Sequence, residues 1–177
     1  MTRRGAKQKY REGDWFAVPL ERGKYALGMI ARSTRKSPSI FFGYFFGPAR
    51  GSVPLLSDVE GLQPGDAIWL SQFGDVGLHD GTWLVLGQSP DWHRAEWPMP
   101  VFAHKDALIP DRYVRREYPN EDPGIHPTQQ RISAEEAATL PEDGLAGSGF
   151  VEQRLTKLLT QQTCPSVATP SRKEIRY

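Results

Sequence analysis

Asp75, His79 and Asp80, followed by Asp91, Trp92 and Glu96, are the side chains of this sequence whose types and spacing could do chemistry. Carboxylates paired with an imidazole, supplied by His79 or by the neighbouring His93, are what general acid–base hydrolysis requires. The same residues suit a binding face. Carboxylates at an interface can imitate phosphates and occupy a basic cleft, while Trp92 and Trp97 supply anchor area at its centre. Aspartate and glycine also populate turns for purely conformational reasons, so ordinary surface turns are a third reading of the pattern.

Other chemistry is sparse. The histidines His79, His93, His104 and His126 show no spacing that would set two of them on one helix face, and a single cysteine, Cys164, cannot build a thiolate site. No metal or other cofactor is therefore expected. Nothing around Cys164 marks it as a nucleophile. Gly147-Ser148-Gly149 lacks both the third glycine of a dinucleotide fingerprint and the Gly-Lys-Ser/Thr of a P-loop, so it reads as helix entry.

The elements that must position these residues are mostly strands. Trp15, Phe16, Val18 and Leu20, then Tyr25, Leu27, Met29 and Ile30, flank a Glu-Arg-Gly-Lys turn, which predicts a hairpin with Gly23 at positive φ. Ser39 to Phe46 is short, aromatic and bounded by prolines, the pattern of a buried strand, with Gly43 marking a bulge or a close backbone approach. Leu62-Gln63-Pro64-Gly65-Asp66 turns into a fourth strand over 67–73, and a fifth spans 82–86. Between them, Gly74 to His79 is too rich in glycine to be regular and is the first surface to consider for recognition. Trp69, Trp83 and the 41–46 aromatics are expected in the core.

Prolines interrupt every run from Gln88 to Pro127. Met99–Ala103 and Arg112–Glu117 are expected to join the sheet as edges, with a loose stretch over Asn120–Gly124. Ser133-Ala134-Glu135-Glu136 fits a capping box opening a short helix that stops at Pro141. Val151, Leu155, Leu158 and Leu159 share one face of a helix over about 148–160, which should dock on the sheet. The fold expected is α+β and mainly β: a twisted antiparallel sheet or small open barrel of about five to seven strands, with one or two C-terminal helices packed on it.

Composition bounds the rest. The 177 residues, 38% of them hydrophobic, suffice for one sizeable core. The expected organisation is a flexible basic arm over 1–11, one domain over 12–160 and a polar tail over 161–177. Arg3, Arg4, Lys7, Lys9 and Arg11 make the arm basic, but only Tyr10 could stack on a base, so the arm carries no site. A net charge of +1 argues against nucleic acid or an anionic membrane as partner. No apolar run is long enough to span a bilayer and the N-terminus has no apolar signal core, so a cytoplasmic location is expected.

Gly13-Asp14-Trp15-Phe16-Ala17-Val18-Pro19-Leu20, followed by Gly23-Lys24-Tyr25-Ala26-Leu27-Gly28, resembles the opening of the immunity protein 26 family of bacterial polymorphic toxin systems. Gly43-Tyr44-Phe45-Phe46 and the run from Gly81-Thr82-Trp83 to Gly87 are similar to that family's following strands. Leu140-Pro141-Glu142-Asp143-Gly144, with Gly147, Gly149, Glu152 and Leu155, is similar to its last helix. The resemblance implies a non-enzymatic protein that binds and neutralises a cognate protein toxin by occluding its active site. It brings no catalytic residue and fixes no contact position. Two further classes stay open at the level of the residues: a small barrel-like module binding nucleic acid or peptide, and a hydrolase using the Asp/His loops.

Overall fold

Residues 9–34 and 39–162 are described by a computed structural model, the side chains of 161 and 162 excepted. Residues 1–8 of the expected arm and 163–177 of the expected tail, with Cys164, lie outside the described residues.

The hairpin around Gly23 joins β1 (Asp14–Pro19) to β2 (Tyr25–Ser33), and Arg22 and Gly23 both take positive φ, 61° and 67°. The Gly at the second position tolerates this at no steric cost. β3 (Ile40–Arg50) pairs with β2, and β4 (Trp69–Gly74) pairs with β3. The chain then crosses the sheet through a short helix, α1 (Val76–His79), to β5 (Leu84–Gln88) at the far edge. The expectation that 74–79 would be irregular is thus corrected. Gly77 belongs in α1 because a Cβ there would lie 2.6 Å from the Trp83 ring.

β6 (Phe102–Lys105), β7 (Tyr113–Glu117) and β8 (Thr128–Ile132) follow. They do not extend the first sheet as edges; they form a second, three-stranded antiparallel sheet with β7 at its centre. β8 had no sequence signal, since its burial is nearly nil and its residues are almost all polar. Asn120–Gly124, read as loose, is tied to the body: Glu121 pairs with Arg32, and Gly124 lies against Thr34. After α2 (Ala134–Ala137), capped by Ser133 Oγ accepting from Glu136 N at 3.0 Å, a two-residue strand β9 (Leu145–Ala146) adds in parallel to β4. α3 (Ser148–Gln162) closes the described chain.

Among the described residues the larger sheet has the order β5-β1-β2-β3-β4-β9 and stays open, so the sheet alternative holds over the barrel. It is mixed, since β9 is parallel to β4. Both faces are covered. Phe41 and Phe45 of β3 join Phe16, Phe73, Leu78 and Trp83 beneath Val151, Leu155 and Leu159 of α3. Phe42, Tyr44 and Phe46 point the other way, onto Trp15, Trp97, Met99 and Phe102. A strand buried on both faces reads as continuous apolar sequence, which is why the 41–46 run shows no alternation.

Candidate functional site

β2, β4 and β5 run in one direction, so Gly74 and Gln88 leave the larger sheet at the same end. From that end the two predicted stretches diverge. α1 turns onto the α3 side, burying Leu78, while the chain after β5 turns onto the opposite face, with Trp92 packed against the Trp15 cluster.

The first stretch is largely occupied by its own turn. Asp75 accepts from the Tyr10 hydroxyl at 2.9 Å, and burial together with this carboxylate pushes the Tyr10 pKa up to about 12. The Tyr10 ring stands edge-on to Phe41 at 5.6 Å. Asp80 accepts from the Thr82 hydroxyl at 2.5 Å and from its amide at 3.0 Å, which holds the carboxyl below its usual range. That is the bonding of an aspartate that makes a turn. His79 is exposed beside it.

The second stretch forms one bank of a groove of about 480 Å³. A turn closed by Trp92 N donating to Ser89 O at 3.1 Å, and a 3₁₀ turn over Arg94–Glu96, set Asp91, Trp92 and Glu96 along it. The other bank is the segment after the 3₁₀ turn Leu56–Val59, which lines the groove with Glu60 and Gln63. Trp15 and Trp97 wall the interior, only 2% and 6% exposed and crossed edge-to-face at 5.7 Å. Glu60, Asp91 and Glu96 are exposed and make no ion pair among the described residues.

Two devices hold this bank in place. Gly13, at φ +88°, runs under Trp92 so closely that a Cβ would sit 2.7 Å from the indole. Behind the 94–96 turn lies a charge network. Arg94 Nε donates to Glu12 at 3.0 Å, the Arg94 carbonyl accepts from Arg32 at 3.2 Å, and Arg32 pairs with Glu121. Glu121 also accepts from Met99 N at 3.3 Å. The turn carrying Glu96 is thereby anchored to β2 and to the 3₁₀ turn Pro119–Glu121 between β7 and β8.

The structure thus brings Asp91, Trp92 and Glu96 together and leaves Asp75, His79 and Asp80 on the other side of the sheet's end. Among the described residues neither His79 nor His93 forms an ion pair with a carboxylate, the arrangement that the hydrolase alternative needed. Sequence reasoning missed Glu60 and Gln63, whose place on the other bank depends on long-range packing. It missed Trp15 as a site residue because a tryptophan in a strand reads as core.

A second cleft, of about 380 Å³, opens beside β9, lined by Trp69, Leu145 and Phe150 together with Glu142, Asp143 and Gly144. Its Asp143 is spoken for, accepting from Gln72 at 2.7 Å, Arg116 at 2.8 Å and Tyr118 at 3.0 Å. This carboxylate joins the larger sheet to the second one.

No helix among the described residues is long and apolar enough to cross a membrane. No curated protein and no solved structure matches the chain. The sequence model of one family, described as Immunity protein 26, matches residues 11–114, from the residue that donates to Asp14 through the start of β7. The matched span includes both banks of the groove, Gly13 and the charge network up to Arg94, and covers more than half of the chain. On that match, the chain belongs to the Immunity protein 26 family.

Proposed function

We propose that this protein is the non-enzymatic antidote of a bacterial polymorphic toxin system: it binds a cognate protein toxin and neutralises it by covering the toxin's active site. The observation that carries the reading is membership of the Immunity protein 26 family. Location in the cytoplasm, where a toxin would have to be met, belongs to the same proposal.

The face proposed for contact is the end of the larger sheet that bears Asp91, Trp92 and Glu96, with Asp75, His79 and Asp80 at its margin. What supports it is the form of the groove. Aromatic side chains wall a recess whose rim is charged, and interfaces are organised as an apolar centre within a polar rim. The anchored 94–96 turn presents that rim without first having to be ordered, which lowers the cost of association. Carboxylates facing outward speed encounter with a basic surface and penalise non-cognate partners.

Co-expression with the product of a neighbouring reading frame tests the proposal. Survival of cells that the neighbour alone kills, together with a stoichiometric complex on purification, is the expected result. Death despite folded protein, or a neighbour that harms nothing, removes the reading. Asp91→Asn with Glu96→Gln is expected to weaken the complex and reduce its salt sensitivity, whereas Asp80→Asn, already engaged by Thr82, should have little effect on binding. Titrations at two salt concentrations that leave the Asp91/Glu96 variant unchanged would move the contact face elsewhere.

A further inference from the structure

The groove is chemically one-sided. Its lining offers the carboxylates of Glu60, Asp91 and Glu96 and, among the described residues, contains no lysine, arginine or histidine. The nearest guanidinium in sequence, Arg94, is committed to Glu12 and Glu121, and His93 stands exposed next to it. The same recess is walled by the indoles of Trp15, Trp92 and Trp97. Of these, Trp92 is half-buried, while Trp15 and Trp97, 2% and 6% exposed, back the recess.

We propose that this groove receives an arginine side chain from the partner protein, drawn by its carboxylates and seated against Trp92. The partner's identity as the toxin rests on the proposed function; the chemistry of the pocket rests on the groove alone. A planar guanidinium can lie on an indole face and fork its donors to two carboxylates at once, which the rounder lysine ammonium does less well. An apolar occupant would leave three carboxylates desolvated and unpaired, and a phosphate would meet them as like charges.

The test uses the full chain and a blocked tripeptide, acetyl-Gly-Arg-Gly-amide, against its citrulline counterpart, which keeps the shape and removes the charge. Indole N–H resonances and tryptophan fluorescence are followed at ionic strengths of about 0.01 M and about 0.15 M. The arginine peptide is expected to move the Trp92 resonance and to bind about tenfold or more tightly than the citrulline peptide, less so at the higher salt. Asp91→Asn with Glu96→Gln should abolish that preference and leave the thermal unfolding midpoint where it was. Equal shifts from the two peptides, or none from either at concentrations approaching about 1 mM, overturn the proposal. An arginine preference in a chain that fails to protect cells would sink the immunity reading and keep the pocket. Protection by a chain blind to the arginine peptide would do the reverse.

Discussion

Arg32 enters the interior at the end of β2 with partners already in place. It is 1% exposed, its side chain pairs with Glu121, and it donates to the carbonyls of Ala31 at 2.6 Å and Arg94 at 3.2 Å. Removing one member of such a pair costs more than the pair is worth, because the remaining charge stays buried. Glu121→Ala is therefore expected to lower stability by about 3 kcal/mol in urea denaturation, and adding Arg32→Met should recover part of that loss. A cost for Glu121→Ala below about 1 kcal/mol would mean that water reaches Arg32. Asp14 carries a different signature. Burial raises its pKa above 3.8, opposed by the Arg11 amide at 2.8 Å. Its folded pKa then exceeds the unfolded one, so the stability it contributes is full below pH 3.8 and falls as pH rises through the folded value. Asp14→Asn should flatten that fall in unfolding measured across the acid range. An unaltered pH profile would refute the assignment.

At the scale of elements, strand glycines mark where side chains cross. A Cβ on Gly28 would lie 2.4 Å from the Phe16 ring, which itself stacks on Trp83 at 5.4 Å and an interplanar angle of 1°. Gly28→Ala is expected to cost about 1–3 kcal/mol through overpacking, and Phe16→Leu in that background should restore part of it. Near-UV circular dichroism would report whether the Phe16–Trp83 stack is disturbed. The sequence foretold this kind of contact at Gly43, where a Cβ would meet Met29 O at 2.6 Å, because a glycine inside an aromatic strand has few other uses. α3 was equally legible, since Val151, Leu155 and Leu159 recur at helical spacing and all three are buried. β8 and β9 were not. Thr128-Gln129-Gln130-Arg131-Ile132 buries too little to show alternation, and two residues cannot display a period at all. The site divides the same way. Asp91, Trp92 and Glu96 could be read by type because they sit in one loop, whereas Glu60 joins them only through the packing of a distant segment.

For the whole molecule, the decisive property is a sheet covered on both faces by different parts of the chain. The family match ends at residue 114, yet one face of the matched strands is closed by α3, which lies beyond it. Without α3, Phe16, Phe41, Phe45 and Phe73 would lose the cover of Val151, Leu155 and Leu159. An exposed aromatic face of that extent favours association over a soluble monomeric fold. A chain ending at residue 147 is therefore expected to lose cooperative thermal unfolding, to bind a hydrophobic dye and to aggregate, although most of its strands are present. Leu155→Ala in the full chain is the milder version, with an expected loss of about 2–5 kcal/mol and retained cooperativity. A truncated chain that unfolds sharply and stays monomeric would show that the matched strands stand without the helix, and the groove on the opposite face could then be studied in the shorter protein. If it collapses, the helix keeps the sheet in shape from behind while the opposite face presents the anchored loop and three carboxylates that make no ion pair among the described residues.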